Sequence, residues 1–383
     1  MNQNELVEQI TATVPLLEAH GLDITKNFYK KLFQAHPALQ NVFNMSHQRS
    51  GIQPLALAQS VLAYAKNIEN PMALSKAIEL IAHKHVSVGV TPEQYPIVGK
   101  FLLEAIKDTL SLDDDHPALN AWGIAFQGLA EVFIQVESDL RQKQGWSEDF
   151  IPFKVEKTVD ESEQVRSFYL SPVSGDVPKF APGQYISLKL DAKPYTLTRQ
   201  YSLSHKWNPE FLRISVKREQ INEHKGQGSH TLHESIKEGD EILCSRPSGE
   251  FILNPHRDST PVFLSAGIGL TPLISMAQQL DSLDHNYMFI HADRNWSSVP
   301  KILLNDLKEK PTIFLEEDSN EKETLKGYMN LESIKDSLPQ DAEYYICGPK
   351  VFMKAQVDFL KSRGVPSDHI NFEYFSSFEG DLN

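Results

Sequence analysis

Cysteine is nearly absent from this sequence. Only Cys244 and Cys347 occur among its 383 residues, and their separation matches no metal-ligand spacing. A cysteine-ligated zinc site is therefore not expected. Such low cysteine usage is typical of a protein from a reducing compartment.

Positive charge is also in short supply. Lys and Arg number 37 against 51 Asp and Glu, which gives a formal net charge of -14. No basic patch is visible, and nucleic acid is excluded as a partner because phosphate binding needs such a patch. The chain is long enough for two or three domains.

Long hydrophobic runs are missing as well. No apolar run approaches the roughly 18–20 residues that cross a bilayer, so no transmembrane segment is predicted. The opening residues, MNQNELVEQI, lack the basic start and the apolar segment of a secretory signal. The predicted location is the cytoplasm.

Strand-like alternation does not occur before about residue 145. Apolar residues recur there at helical spacing and predict six or seven helices, one of them beginning at about Pro54. Because the loops between these helices differ in length, the pattern favours a globin-like packing over an up-down bundle.

One histidine in this block is a candidate metal ligand. His85 continues an apolar stripe formed by Leu74, Ile78 and Ile81, whereas His83 faces the other way. Neutral imidazole is the commonest metal ligand. A buried core histidine with one hydrogen bond explains the same pattern, so both interpretations stay open on the pattern alone.

A carboxylate in the last helix of the block also lies on an apolar stripe. Glu137 follows Ala130 and Phe133 at helical spacing, and a buried carboxylate needs a partner or a raised pKa. Tyr95, ten residues after His85, could supply that partner. A glutamate that reaches solvent at a fraying helix end is an equally good interpretation.

The period of the pattern drops to two from Ile151 onwards. Short strands separated by Pro- and Gly-rich turns predict a small antiparallel barrel over residues 150–256. Arg199-Gln200-Tyr201-Ser202 closes one strand and offers a phosphate partner, a stacking ring and a hydroxyl. The turn at Gly228-Ser229 could offer backbone N–H groups to a phosphate. Each motif alone could equally be an ordinary strand end or turn.

Strands alternate with helices after Pro261, which predicts a parallel α/β sheet of the nucleotide-binding kind. Gly267-Ile268-Gly269-Leu270-Thr271-Pro272 follows a strand and opens a helix, where glycines let the backbone approach a pyrophosphate. The third glycine of the dinucleotide fingerprint is missing, so an ordinary strand–turn–helix junction is nearly as good an interpretation.

The order of these motifs resembles the ferredoxin–NADP reductase-like family over residues 150–383. The resemblance implies an FAD site in the barrel, with Phe375 shielding the flavin ring. The FAD residues would be Tyr185, Arg199, Gln200, Tyr201, Ser202, Gly228, Ser229, Tyr374, Phe375, Ser376 and Ser377. The NADH or NADPH residues would be Gly267, Ile268, Gly269, Leu270, Thr271, Pro272, Cys347, Gly348 and Pro349.

The N-terminal block resembles the globin half of the bacterial and yeast flavohaemoglobins. The residues that carry this resemblance are Asn27-Phe28-Tyr29, Phe43-Asn44-Met45-Ser46, Gln53, Lys84-His85, Tyr95 and Ala121-Trp122-Gly123. It implies that His85 is the proximal ligand of a haem b iron, with Tyr95 and Glu137 as a relay behind it. Tyr29 and Gln53 would line the distal side, and the haem pocket would include Phe43, Leu57 and Lys84.

The whole chain is similar to that family in domain order and length. The predicted domains are a globin (1–147), an FAD-binding barrel (148–258) and an NAD(P)H-binding α/β domain (259–383). The resemblance implies a monomeric nitric oxide dioxygenase with O2 and NO as substrates. NAD(P)H would reduce FAD, FAD would reduce haem iron, and haem-bound O2 would convert NO to nitrate.

Two other functions remain open from the sequence. The protein could be an oxygen-binding or oxygen-sensing globin whose reductase only keeps its iron ferrous. It could also be a general NAD(P)H-dependent flavin or quinone reductase. The sequence does not choose between NADH and NADPH, because Arg294 could meet a 2′-phosphate and Asp293 a ribose hydroxyl.

Overall fold

The first part of the chain is helical, as predicted. The computed structural model describes residues 1–43, 48, 51–145, 148–192, 195–221, 224–254, 259–317 and 324–375, which form two units, Met1–Asp149 and Phe150–Phe375. The helices of the first unit are α1 (Gln3–Ala12), α2 (Val14–Ala35), α3 (Ile52–Lys66), α4 (Ser75–Val88), α5 (Gln94–Leu110) and α6 (Pro117–Gln144). Short 3-10 turns at Pro37–Asn41 and Pro71–Leu74 connect some of them.

The predicted start of α3 is wrong. The helix begins at Ile52, two residues before Pro54, so Gln53 lies in its first turn. Proline is accepted there because the first N–H groups of a helix have no intrahelical partner. Gly51 precedes the helix with φ of 79°, and the Thr25 hydroxyl donates to the Pro54 carbonyl at 2.8 Å. The start of α3 is thereby tied to α2.

The stripe that predicted the position of His85 is not the most buried face of α4. Ala82, His83, Val86 and Ser87 are the buried residues of the helix, whereas Ile78, Ile81 and His85 are half-buried. The prediction that His83 faces away from the apolar side is therefore only half right. It points towards Glu79, as expected, but it is buried.

The first part of the second unit is an antiparallel barrel. Six strands pair in the order β4-β3-β8-β1-β2-β5, and a bridge between Leu203 and Ile214 joins its two edges. These strands are β1 (Phe150–Asp160), β2 (Val165–Pro172), β3 (Tyr185–Ala192), β4 (Tyr195–Ser202), β5 (Leu212–Lys217) and β8 (Glu241–Ser245). A two-residue hairpin, β6 (Gln220–Ile221) with β7 (His224–Lys225), precedes α7 (Gln227–Glu234).

The rest of the second unit is the predicted parallel sheet. Its six strands lie in the order β12-β11-β10-β9-β13-β14, so the direction of winding reverses at β9. The strands are β9 (Thr260–Ala266), β10 (Met288–Asp293), β11 (Thr312–Leu315), β12 (Thr324–Lys326), β13 (Ala342–Cys347) and β14 (Ile370–Glu373). The helices are α8 (Leu270–Ser282), α9 (Lys301–Asn305) and α10 (Lys350–Ser362).

Two details of this sheet differ from the prediction. The edge strand β12 was not anticipated, because three residues are too few to show a period. The alternating sequence pattern predicts a last strand over residues 370–375, whereas this strand ends at Glu373. Within the described ranges, no helix is both long enough and apolar enough to cross a membrane.

Candidate functional site

Two predicted residues, Tyr95 and Glu137, meet at Nδ1 of the His85 imidazole. Nδ1 of His85 lies 2.8 Å from Oε1 of Glu137 and 3.1 Å from the Tyr95 hydroxyl, and that hydroxyl also donates to Glu137 Oε1. A carboxylate oxygen is a hydrogen-bond acceptor, so the contact with Oε1 assigns the proton to Nδ1 and the lone pair to Nε2. Among the described residues, Nε2 of His85 has no hydrogen-bond partner. This arrangement fits a metal ligand fixed through its other ring nitrogen.

The three residues come from three different helices. His85 lies in the last turn of α4, which ends at Gly89 with φ of 80°, Tyr95 opens α5, and Glu137 lies in α6. Glu137 is fully buried, and Phe133 lies one turn before it with its ring centroid 5.6 Å from that of His85. The apolar stripe of α6 therefore carries the carboxylate into the interior, which is one of the two interpretations that its spacing left open.

Tyr29 lies in a second aromatic group. Its ring stacks on Phe33 at a centroid distance of 5.7 Å and meets the edge of Phe43 at 5.6 Å. Burial raises the pKa of Tyr29 well above its ordinary value, and the Gln48 side chain beside its hydroxyl offsets this only partly. The phenol is therefore protonated at neutral pH and can donate a hydrogen bond. Gln48 lies in no recognisable sequence motif and was not predicted as a site residue.

The other predicted pocket residues lie on the same helices. Leu57 is half-buried in α3, and Lys84 is half-buried next to His85 in α4. Gln53 is fixed near α2 by the contact between Thr25 and Pro54. Its Oε1 is buried and has no hydrogen-bond partner among the described residues.

These residues fit a haem group. The Nε2 lone pair of His85 supplies a ligand of the right chemistry, and Gln53 offers a buried polar atom without a partner. Half-buried apolar side chains pack on both aromatic groups, and Phe126 contacts both of the buried clusters involved. An apolar macrocycle with one axial histidine matches this set of side chains.

The start of α7 is the part of the barrel that suits a flavin phosphate. A Cβ added to Gly228 would lie 2.9 Å from Cγ of Arg199 and 3.3 Å from the Tyr201 hydroxyl. Glycine is therefore needed for the helix to approach β4. The N–H groups at the start of α7 and the Arg199 guanidinium together fit an anion, which agrees with the pyrophosphate of FAD.

Several predicted flavin residues have defined positions around this point. Ser229 is buried, and its hydroxyl donates to the Gly226 carbonyl and accepts from the Glu219 N–H, both at 3.0 Å. Any contact of Ser229 with a phosphate would therefore use its backbone. Tyr185 pairs with Ser202, and Ile186 with Tyr201, across β3 and β4, next to Gln200.

The aromatic residues at the end of the chain lie beyond β14. Tyr374 packs edge-on against Phe372 at a centroid distance of 5.6 Å, and Phe375 is 47% exposed. An exposed ring at this place is available for stacking on a flat group. Ser376 and Ser377, which the resemblance also places at FAD, lie outside the described residues.

The predicted coenzyme motif lies where the sheet reverses its winding. Gly267–Gly269 forms a 3-10 turn at the carboxyl end of β9, and α8 follows with Leu270, Thr271 and Pro272 in its first turn. A Cβ on Gly269 would lie 2.2 Å from the Cys347 carbonyl oxygen, and one on Gly348 would lie 3.1 Å from Cβ of Ala266. The two glycine-containing turns, at Ile268 and at Pro349, therefore approach closely at the switch point where such sheets bind dinucleotides.

Two side chains near this edge have properties that the sequence did not show. Cys347 is fully buried and burial raises the pKa of its thiol, so it can meet a coenzyme only through its backbone. Asp293 accepts the Arg294 N–H at 2.8 Å, and its other oxygen lies 3.5 Å from Nε2 of the buried His291.

Comparison with known protein families gives three matches in chain order. The globin family matches residues 26–133. The oxidoreductase FAD-binding domain matches residues 152–252, and the oxidoreductase NAD-binding domain matches residues 263–358. The chain therefore takes haem, FAD and a nicotinamide coenzyme.

The full length of the chain is similar to single known proteins. The flavohemoprotein of Chromobacterium violaceum is 40% identical over 97% of this chain and 98% of its own length. The flavohemoglobin structure of Malassezia yamatoensis, with bound FAD and haem, covers 97% of this chain at a TM-score of 0.86 and 24% identity, and thus shows the shared fold. The FAD/NAD-binding domain of the nitric oxide dioxygenase of Vibrio cholerae matches 59% of this chain at 32% identity and a TM-score of 0.55. These similarities show that the chain belongs to the flavohemoprotein (flavohaemoglobin) family.

Proposed function

We propose that this protein is a nitric oxide dioxygenase that uses NADH or NADPH. The observation that carries the proposal is the contact of Glu137 and Tyr95 with Nδ1 of His85, in a chain that also has a flavin reductase. A globin that only stores oxygen needs no such carboxylate, because electron donation through the proximal ligand favours O–O chemistry. The name of the Vibrio cholerae relative supports the same activity.

When the cofactors are bound, NAD(P)H supplies electrons through FAD to the haem iron, where O2 oxidises NO to nitrate. The residues of the chain have supporting tasks. Glu137 holds the Nδ1 proton of His85, so Nε2 remains a good ligand. Tyr29, which burial keeps protonated, would donate a hydrogen bond to a ligand of the haem iron, and Gln53 would offer a second polar group there.

The reductase residues bind and orient the other two cofactors. Arg199 and the start of α7 would hold the flavin phosphates, Tyr201 and Ser202 would contact the flavin, and Phe375 would cover its ring. The turn at Gly267–Gly269 and the backbone at Cys347–Gly348 hold the coenzyme. Because the thiol of Cys347 is buried, no proton transfer by it is part of this proposal.

The domain limits, location and oligomeric state also belong to the proposal. We place the domains at 1–147, 148–258 and 259–383 because the pattern changes from helical to strand-like near residue 148. Both cysteines are buried free thiols, in keeping with a cytoplasmic protein. We propose a monomer, which light scattering of the holoprotein would test.

The decisive experiment follows NO on an electrode. Holoprotein in air-saturated buffer should consume NO rapidly only when both O2 and NADH or NADPH are present, and nitrate should be the product. Slow NO loss that does not depend on the coenzyme would instead indicate an oxygen-binding globin. Rapid coenzyme oxidation that NO does not accelerate, but a quinone does, would indicate a general reductase.

A further inference from the structure

Arg141 lies one helical turn beyond Glu137 in α6. Its Nη1 is 3.9 Å from Oε2 of Glu137, the carboxylate oxygen that does not face His85. Glu137 is fully buried, and this oxygen has no hydrogen-bond partner in the part of the chain that the structure describes. The guanidinium is therefore the nearby positive charge on the far side of the carboxylate.

Two other contacts hold the guanidinium in place. Nη2 donates to the carbonyl of Val90, just beyond the end of α4, and Nε lies 3.1 Å from Oδ1 of Asp149. The Arg141 side chain is only 21% exposed, so water screens its charge weakly. Val90 follows the helix that carries His85. Arg141 therefore contacts both the segment that holds His85 and the side chain of Glu137.

The charge of Arg141 opposes the effect of Glu137 on the imidazole. A carboxylate that accepts the Nδ1 proton makes Nε2 a stronger donor to a metal. A cation beside the other carboxylate oxygen attracts electron density away from Oε1, and this electrostatic effect is large in a buried site. The position of Arg141 therefore limits how strongly Glu137 acts on His85.

We propose that Arg141 is a positioning residue that raises the reduction potential of the haem iron through its positive charge beside Oε2 of Glu137. The proposal rests on the proposed role of His85 as the proximal ligand. The proposal adds Arg141 to the group of side chains, His85, Tyr95 and Glu137, that act on the proximal ligand. A higher potential eases reduction of the iron by the flavin of the same chain.

The test uses Arg141→Met, which keeps an apolar stem and removes the charge. Two properties of the haem-loaded protein are measured: the midpoint potential by spectroelectrochemical titration, and the iron–histidine stretching frequency of the ferrous state by resonance Raman. We expect a more negative potential and a higher stretching frequency. At a fixed applied potential, the ratio of ferrous to ferric haem in Arg141→Met should be at least about threefold lower than in the parent protein.

Matched variants separate this effect from a structural one. Asp149→Asn removes the negative charge that pairs with Nε but keeps the guanidinium charge, and Lys143→Met removes an exposed charge from the same helix. Both control variants should keep the midpoint potential of the parent protein. Arg141→Lys, which keeps a positive charge, should have a midpoint potential closer to that of the parent than to that of Arg141→Met. If Arg141→Met does not fold, as judged by circular dichroism, Arg141→Gln takes its place.

The results test the role of Arg141 and the role of His85 separately. An unchanged stretching frequency and potential in Arg141→Met would overturn the role of Arg141 and leave His85 as the ligand. An equal shift in Asp149→Asn would also overturn it, because the effect would then come from loosening the chain. Absence of an iron–histidine band in the parent protein would overturn the assignment of His85, and the role of Arg141 with it.

Discussion

Glu137 and His85 are 52 residues apart in the chain, yet Oε1 of one lies 2.8 Å from Nδ1 of the other. The contact exists because α4 packs against α6, which brings the half-buried imidazole to the fully buried carboxylate. With Nδ1 occupied, the imidazole presents Nε2 in one fixed orientation. A metal ligand needs this fixed orientation more than burial.

Replacement of His85 tests this orientation. His85→Ala should lose the iron–histidine band and bind haem at least about tenfold more weakly, because the axial nitrogen is removed. Haem transfer to apomyoglobin and the ferrous spectrum measure the two effects. His83→Ala, two residues earlier and buried on the other face, should keep both properties of the parent. A variant at His85 with the parent spectrum would show that another residue is the ligand.

Tyr29→Phe tests the distal hydroxyl. Loss of one hydrogen bond to a polar ligand costs about 1.5 kcal/mol, so O2 should dissociate roughly tenfold faster. Stopped-flow replacement of O2 by CO measures the rate.

Tyr64→Phe is the matched control for Tyr29→Phe, because its hydroxyl donates to the Ala125 carbonyl at 3.1 Å within the same unit. This control should leave the dissociation rate unchanged. Equal rates for Tyr29→Phe and the parent protein would remove the proposed role of Tyr29.

Gly269→Ala tests the close approach at the coenzyme edge. The new Cβ would lie 2.2 Å from the Cys347 carbonyl oxygen, so one of the two turns must move. We expect a loss of at least about 2 kcal/mol in stability and a large rise in KM for the coenzyme. Thermal unfolding and cytochrome c reduction measure the two effects.

Gly128→Ala serves as the control for Gly269→Ala, since its Cβ would meet nothing within 4 Å. It should leave both stability and KM close to those of the parent. A normal KM in Gly269→Ala would mean that the coenzyme does not bind at this turn.

His233 makes the stability of the barrel depend on pH. Burial lowers the pKa of His233, and the charges of Arg218 and Arg166 lower it further. The hydrogen bond of 2.8 Å to the Val216 carbonyl raises the pKa and offsets only part of this. An unfolded histidine titrates at about 6.5. At pH values between the lowered pKa of the folded protein and about 6.5, the unfolded chain binds more protons than the folded protein. The free energy of unfolding therefore rises with pH and falls as the pH is lowered through this range.

The pH effect is measured as the urea midpoint for FAD release at pH 5.5 and 7.5. The parent protein should be less stable at the lower pH, and His233→Gln should show a smaller difference between the two pH values. His285→Gln removes an exposed histidine and should behave as the parent does. The same difference in all three proteins would assign the pH effect to other groups.

The sequence by itself determined the elements and most of the candidate residues. Helical spacing placed Glu137 on an apolar stripe, and the strand patterns gave the order of barrel and parallel sheet. These properties are local, because the period of the side chains depends only on the geometry of one helix or strand.

Only the tertiary structure decided which residues meet. It brought Gln48 to Tyr29, buried the thiol of Cys347, began α3 before Pro54 and set Arg141 against Glu137. Spacing shows that Arg141 and Glu137 share a face, but not that Val90 and Asp149 hold the guanidinium there. Such contacts join segments far apart in the chain, and their distances follow from how whole helices pack, which no local pattern records.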